Sequence, residues 1–298
     1  MNNRYFIVCD FDGTLANTFE SSPNGMNVSR ATDNAVRDVF GDDGYDAYEQ
    51  IGGMSNREPG ELVQLIQKQM GFGVFEDATE QFVEQKLSYL LPEITPEWPK
   101  LYPGFREFFQ RASELSIDIG IISSGHDSFI RKAFEVHGIT PDILVTSDII
   151  RSRRMPQRPR YKPNPYQFAE GHLQWLKKSV DGDPLAPENR EIVIRGAQDK
   201  QRIVYIGDDP VKDGGLAERV GIPFIFVPFT KPEFTPVAEA GQVLALDFFA
   251  ICDTINNHAE DLREGKSFAQ IFLEEGRNLP PQSVEGQQHM MVSRERGL

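Results

Sequence analysis

Two carboxylates, Asp10 and Asp12, stand two positions apart at the end of an apolar run, Tyr5 to Cys9. A run of β-branched and aromatic residues that soon meets a glycine predicts a short buried strand. Side chains two positions apart on a strand project to the same side. Burying carboxylates is costly unless a cation or hydrogen-bond donors meet them. We therefore expect an open polar site that holds a metal ion here, against the alternative of an ordinary Asp-Gly turn.

Two further apolar runs are followed by polar side chains. Residues 117–122 are almost wholly apolar and end at Ser123, and residues 202–206 end at Asp208 after a glycine. The carboxyl ends of parallel strands lie at one edge of a sheet, where open α/β sheets form their sites. We therefore expect these side chains to lie close to Asp10.

The elements that would position these side chains follow from the apolar spacing. Strand and helix patterns alternate over residues 101–227, which predicts an α/β fold with a doubly wound parallel sheet. Residues 17–100 show helical spacing broken by glycines and no convincing strand, which predicts an inserted α-helical domain. The predicted catalytic core is residues 1–16 with 101–250. Residues 251–298 are a C-terminal extension, of which about the last 20 are expected to be disordered.

Composition and charge narrow the class of protein. The chain has 298 residues, of which 39% are hydrophobic, and a formal net charge of -14. This acidic total argues against general affinity for nucleic acid or anionic membranes. Two cysteines, Cys9 and Cys252, are too few for a disulfide framework, and Cys9 is expected to be a buried thiol. We find no signal-peptide pattern and no run of about 18 apolar residues, so we expect a cytoplasmic protein without a membrane span.

The polar residues at the strand ends, with one lysine, form a set that suits phosphoryl transfer. Asp10, Asp208 and Asp213 would supply hard oxygen ligands, which suit Mg²⁺. Ser123 adds a hydroxyl at the start of a predicted helix, where phosphate binds readily. Lys162 lies just before another predicted helix and can neutralise an anion or hold a carboxylate. A carboxylate nucleophile, a second carboxyl group, a hydroxyl, a lysine and Mg²⁺ are the usual parts of a phosphoryl-transfer site.

Four short motifs in order resemble those of the haloacid-dehalogenase (HAD) superfamily of phosphatases. They are an Asp-x-Asp-Gly-Thr sequence, a Ser that closes an apolar strand, a Lys-Pro pair before a helix, and Gly-Asp followed by a second acid. The matches are Asp10 to Thr14, Ser123, Lys162-Pro163, and Gly207-Asp208 with Asp213.

The resemblance covers residues 1–15 and 101–230. It implies a Rossmann-like core, and the helical insert lies where this superfamily places its first type of cap domain.

The resemblance implies separate roles for the residues of these motifs. Asp10 would attack phosphorus and become an aspartyl-phosphate, and Asp12 would protonate the leaving oxygen and then activate water. Ser123 would bind a phosphoryl oxygen, and Lys162 would stabilise negative charge. The dehalogenases of the superfamily lack the second acid, so Asp12 favours phosphate transfer over cleavage of a carbon–halogen bond.

The resemblance also implies one Mg²⁺ ion and a loop that holds the phosphoryl group. The ion would be bound by the Asp10 carboxylate, the Asp12 backbone carbonyl and Asp208, with Asp209 or Asp213 supporting it. The residues expected beside the phosphoryl group are Thr14, Ser124 and Gly125.

Several of these residues also have a purely structural interpretation. Ser123 could cap the following helix, or Ser124 could offer the hydroxyl in its place. Asp209 could cap its own helix, and Asp213 could be a solvated acid in the first turn. Lys162 in isolation would be a surface lysine, and its position between motifs favours a function.

Two arginine-bearing segments are candidates for substrate recognition. Five arginines lie in residues 151–160, in a chain that is acidic overall. Arg153 and Arg154 are predicted to bind a second anionic group of the substrate, against the alternative of a solvated loop. Arg57, in a glycine-containing loop of the insert, is predicted to contact substrate unless it only starts a helix. His126 is expected to be structural.

The sequence thus predicts a Mg²⁺-dependent phosphatase that hydrolyses a small phosphorylated metabolite. Two alternatives stay open, a sugar-phosphate mutase of the same superfamily and a binding protein that keeps the fold without the activity. A phosphatase of nucleic-acid ends is disfavoured by the acidic total. The sequence gives no oligomeric state.

Overall fold

The apolar runs form a parallel six-stranded sheet in the computed structural model. Its strands are β1 (Tyr5–Cys9), β4 (Ile117–Ile122), β5 (Ile143–Val145), β6 (Ile203–Gly207), β7 (Phe224–Phe226) and β8 (Gln242–Leu244). The residues that the structure describes are 4–53, 58–73, 77–152, 161–177, 183–186, 189, 201–227, 242–245 and 247–276.

The spatial order of these strands is β5-β4-β1-β6-β7-β8, and all neighbouring pairs are parallel. The chain builds one half of the sheet outward from β1 and then returns to build the other half from β6. The direction of winding therefore reverses at β1, and the crevice beyond the carboxyl end of such a strand is where doubly wound sheets bind ligands. The predicted fold class is confirmed.

Both faces of β1 are buried, because alternate side chains enter two different hydrophobic clusters. Tyr5, Ile7 and Cys9 contribute to one cluster, and Phe6 and Val8 contribute to the other. A strand covered by helices on both faces needs apolar residues at every position. The predicted buried thiol of Cys9 is confirmed.

Helices connect the strands and cover the sheet. They are α4 (Phe105–Glu114), α5 (Asp127–Val136), α6 (Ser147–Ser152), α7 (Tyr166–Trp175) and α8 (Gly215–Val220). A π-type turn, Pro210–Gly214, precedes α8.

The insert consists of three helices with a small core of their own. They are α1 (Val28–Gln50), α2 (Pro59–Gln69) and α3 (Asp77–Leu90), and a separate hydrophobic cluster lies between them. An antiparallel ribbon of two short strands, β2 (Ala16–Asn17) and β3 (Lys100–Leu101), joins the insert to the sheet. Sequence patterns missed this ribbon because two-residue strands have no measurable periodicity.

The C-terminal extension packs on the core as α9 (Phe248–Asn257), α10 (Ala259–Glu264) and α11 (Phe268–Gly276). The ring of Phe248 lies 5.2 Å from that of Phe105 in α4, and the Tyr5 hydroxyl donates to the Lys266 carbonyl at 2.6 Å. The terminal segment predicted to be disordered, residues 277–298, lies outside the described residues. Among the helices described, none has the length and hydropathy that a membrane span requires.

Candidate active site at the carboxyl edge of the sheet

Three carboxylates from two neighbouring strands meet at the carboxyl edge of the sheet. Asp10 directly follows β1, Asp208 directly follows β6, and Asp213 lies in the π-type turn beyond it. One oxygen atom from each lies within 4.8 Å of the others. The Asp10 amide donates to the Ile206 carbonyl at 3.1 Å, which extends the pairing of β1 and β6 up to the site.

Lys162 joins this cluster from the loop before α7. Its ammonium lies 2.8 Å from Asp10 Oδ1 and donates to Asp213 Oδ1 at 2.7 Å. Burial alone would lower the pKa of Lys162, but the carboxylates of Asp10 and Asp213 outweigh it and raise that pKa well above its ordinary value.

The four side chains form a largely buried group of three carboxylates and one ammonium. Burial, together with Asp10 and Asp208, raises the pKa of Asp213 even though Lys162 opposes the change. Three clustered carboxylate oxygens are suited to a hard divalent cation. Asp10, Asp208 and Asp213 are therefore the described residues that could hold a metal ion.

Two glycines allow the acids to approach so closely. Gly13 has a φ of 79°, and a Cβ there would lie 2.6 Å from Asp208 Oδ2. A Cβ on Gly207 would overlap the Asp213 carboxylate, so any side chain at this position would displace that acid. Thr14 also acts here, since its fully buried hydroxyl donates to Asp208 Oδ1 at 3.0 Å. Thr14 therefore orients Asp208, and its predicted contact with substrate stays a prediction.

Asp12 lies beside the cluster in a different environment. The Thr18 hydroxyl donates to Asp12 Oδ1 at 2.7 Å, and Asp12 is partly buried. Burial and the charge of Asp10 raise the pKa of Asp12 from 3.8 to about 6, although Thr18, Lys86 and Lys162 each oppose the rise. A carboxyl group that titrates near neutral pH can both donate and accept a proton there.

The loop after β4 approaches the same place. The buried Ser123 hydroxyl accepts a hydrogen bond from the Gly125 amide at 3.0 Å, and the Ser123 amide donates to Val145 in β5. A Cβ on Gly125 would lie 3.1 Å from Asp12 Oδ2 and 3.2 Å from Ser123 Oγ. The structure thus brings Ser123 and Gly125 next to Asp12, with Ser124 partly exposed between them.

Ser123 does not cap α5, because His126 occupies the N-cap position. The buried His126 ring has Nδ1 3.3 Å from Asp148 Oδ1, and Asp148 also accepts the Asp127 amide at 2.6 Å. Burial lowers the pKa of His126, although Asp148 opposes the change. Arg151 completes the network by donating to Asp148 at 2.7 Å. These contacts fit the structural role expected for His126.

Asp209 is the predicted metal residue that the structure does not bring into the carboxylate cluster. Its Oδ1 accepts from the amides of Val211 and Lys212, both at 3.0 Å, and so caps the π-type turn. These contacts agree with the structural alternative for Asp209, which is to cap the helical element that follows it. The predicted substrate residues Arg57, Arg153 and Arg154 lie outside the described residues.

Sequence reasoning missed Lys86, which reaches this region from the insert. It lies on α3, and its charge lowers the pKa of both Asp12 and His126. A signal existed in the sequence, because Lys86 interrupts the apolar stripe of its helix.

Comparison with known proteins agrees with this arrangement. A sequence model of the haloacid dehalogenase-like hydrolases (HAD) matches residues 7–213, a range that includes Asp10, Ser123, Lys162 and Asp213. The chain belongs to this family. The family assignment confirms the resemblance drawn from the four motifs, and with it the expectation of a hydrolase. A comparison with curated proteins gives no match.

Several solved structures share the fold at low sequence identity. A predicted phosphoglycolate phosphatase from Haemophilus somnus matches with a TM-score of 0.52 and 16% identity, over 85% of this chain and 98% of that one. A hydrolase from Pseudomonas syringae matches with a TM-score of 0.52 and 15% identity, over 86% of this chain and 98% of that one. CbbY from Rhodobacter sphaeroides in complex with phosphate matches with a TM-score of 0.50 and 16% identity, over 82% and 94%.

Proposed function

We propose that this protein is a Mg²⁺-dependent phosphatase that hydrolyses a small phosphomonoester through an aspartyl-phosphate on Asp10. The observation that carries the proposal is the difference in surroundings between Asp10 and Asp12. The Asp10 carboxylate lies 2.8 Å from the ammonium of Lys162, a cation placed to stabilise negative charge on a phosphoryl group bound to Asp10. Asp12 has a pKa of about 6, as a proton carrier needs.

In the first step an oxygen of Asp10 forms a bond to phosphorus while the bond from phosphorus to the leaving oxygen breaks. The proton of Asp12 passes to that oxygen, so the leaving group departs as a neutral alcohol. Lys162 and Ser123 stabilise the phosphoryl oxygens, the lysine as a charge and the serine through its hydroxyl. In the second step Asp12 accepts a proton from water, whose oxygen displaces Asp10 from phosphorus and releases inorganic phosphate.

The residues present fit Mg²⁺. Asp10, Asp208 and Asp213 offer hard oxygen ligands within 4.8 Å of one another, and Lys162 neutralises only part of their charge. Asp12 would contribute its backbone carbonyl. When bound, the ion would neutralise charge on the transferred phosphoryl group. Asp209 is not needed as a ligand, because its carboxylate caps the turn.

The insert is proposed to be a cap that covers the site and faces the leaving group. We propose residues 17–100 as its bounds, and the β2–β3 ribbon that joins it to the core supports them. We propose a small phosphorylated metabolite as the substrate and a cytoplasmic setting for the reaction. The net charge of -14 argues against a nucleic-acid substrate.

The proposal is tested with p-nitrophenyl phosphate and purified protein, with and without Mg²⁺. We expect release of phosphate that depends on Mg²⁺ and is abolished in Asp10→Asn, while Asp46→Asn, an exposed acid in α1, behaves as the native protein. Full activity in Asp10→Asn, or none in the native protein with Mg²⁺, would reject the proposal. Transfer of the phosphoryl group to a sugar hydroxyl in preference to water would indicate a mutase.

A further inference from the structure

Lys86 lies on the face of α3 that packs inward. Phe82, Val83 and Leu90 on this helix are buried, and Lys86 is three or four residues from each of them. Side chains at these spacings share one face of a helix. Lys86 therefore places a cation where the helical periodicity predicts an apolar residue, and its side chain is partly buried.

Two contacts with the core lie near the two ends of α3. The Lys132 ammonium, on α5, donates to the Leu91 carbonyl at 2.7 Å, just beyond the end of α3. Arg151 Nε lies 3.9 Å from Glu80 Oε1 near the start of the helix. Lys86 lies between these two attachments, close enough to Asp12 and His126 to change the pKa of each.

The ammonium of Lys86 has no carboxylate within 4.0 Å among the residues that the structure describes. Burial lowers the pKa of Lys86, and the more distant Asp12 opposes that change only in part. Removing an ammonium from water without a close partner is unfavourable. Such a group gains most when an anion binds beside it.

The position of Lys86 indicates which part of a substrate it would meet. In the proposed mechanism the transferred phosphoryl group binds Asp10, which lies beside Lys162 and in the carboxylate cluster. Asp12 is the proposed proton donor to the leaving oxygen. A cation that comes from the insert and lies near Asp12 therefore faces the leaving group.

We propose that Lys86 binds a second anionic group, a carboxylate or a phosphate, on the leaving group of the substrate. The protein would then select phosphomonoesters that carry such a group over neutral or cationic ones. This inference rests on the proposed phosphatase function and names the substrate class of that site. It assigns the selection to Lys86, a residue that the four motifs do not include.

The test compares two-carbon phosphomonoesters that differ only in their far end. They are 2-phosphoglycolate, ethanediol bisphosphate, ethyl phosphate and phosphoethanolamine. Each is measured as a substrate, or as a competitive inhibitor of p-nitrophenyl phosphate hydrolysis where it is not turned over. The readout is the ratio of kcat/KM for each charged ester to that for ethyl phosphate, or the ratio of the reciprocal inhibition constants for esters that are not turned over. The two anionic esters distinguish a carboxylate from a phosphate.

We expect the native protein to prefer at least one anionic ester over ethyl phosphate. In Lys86→Met this preference should fall by about tenfold to a hundredfold, as for loss of a charge-assisted hydrogen bond. Lys86→Arg should keep the preference, and Lys86→Glu should shift it toward phosphoethanolamine. The matched control is Lys68→Met, which removes an exposed lysine from α2 and should leave the ratios unchanged.

The inference is overturned if the native protein does not prefer an anionic ester, or if Lys86→Met changes the constants of all four esters alike. Either result leaves the phosphatase proposal standing, provided that p-nitrophenyl phosphate is hydrolysed with Mg²⁺ and Asp10→Asn is inactive. Failure of that activity would reject the phosphatase proposal itself.

Discussion

Replacing Asp12 by Asn should stabilise the metal-free protein at neutral pH while it abolishes turnover. The Asp12 carboxylate is partly buried beside Asp10, and these two features raise its pKa from 3.8 to about 6. Keeping this group ionised in the folded state therefore has a free-energy cost. An Asn side chain keeps the oxygen that accepts the Thr18 hydroxyl but carries no charge.

The magnitude and sign follow from linkage between protonation and folding. Between about pH 4 and pH 6 the folded state holds a proton on Asp12 that the unfolded state has lost, so the free energy of unfolding falls as pH rises. The two pKa values differ by about 2, which corresponds to at most about 3 kcal/mol above pH 6. Asp12→Asn should match the native protein near pH 4 and exceed it by up to that amount at pH 7.5.

The assay is urea unfolding in EDTA at several pH values, with Asp46→Asn as the control for loss of an exposed acid. The difference between native protein and variant cancels the contributions of other acids, Asp213 included. A free energy of unfolding for Asp12→Asn that equals the native value at both pH 4 and pH 7.5 would refute the reasoning. A lower value at pH 7.5 would refute it as well.

Two more predictions concern the carboxylate cluster. In Gly207→Ala the new Cβ would displace Asp213. We therefore expect loss of phosphatase activity and a free energy of unfolding that is lower by about 1–3 kcal/mol. The control Gly73→Ala, at an open position, should change neither quantity. If urea unfolding and kinetics show native behaviour for Gly207→Ala, the close packing described here is wrong. Mg²⁺ should raise the midpoint temperature of thermal unfolding of the native protein, because it binds the folded state. Asp208→Asn should lose most of this increase, while Asp209→Asn should keep it. Equal responses of these two variants in thermal scans would contradict the assignment of the ligands.

Much of the architecture was predictable because the strands are buried on both faces. Nearly all-apolar runs such as Ile117–Ile122 predict buried strands without further information. Parallel pairing of these strands then requires that Asp10, Ser123 and Asp208 lie at one edge of the sheet. Elements without an apolar repeat escaped prediction, and the β2–β3 ribbon and the π-type turn are of this kind. Each is fixed by contacts with distant parts of the chain.

Side-chain positions were predictable where a motif implied them and not where they depend on packing. Thr14 belongs to the first motif, yet it orients Asp208 from a fully buried position. Gly207 is needed because the Asp213 carboxylate occupies the space of its missing side chain, which no local pattern shows. Lys86 is remote from every motif in sequence and approaches Asp12 only because α3 packs over the core.

Trapping a covalent bond between Asp10 and phosphorus would test the first step of the proposed mechanism. Native protein that is turning over a ³²P-labelled phosphomonoester with Mg²⁺ is quenched in acid, and the label on the protein is located by peptide mapping. We predict label on the peptide that contains Asp10, release of this label by hydroxylamine, and none in Asp10→Asn. Turnover without any label on the native protein, or label on another residue, would contradict the account.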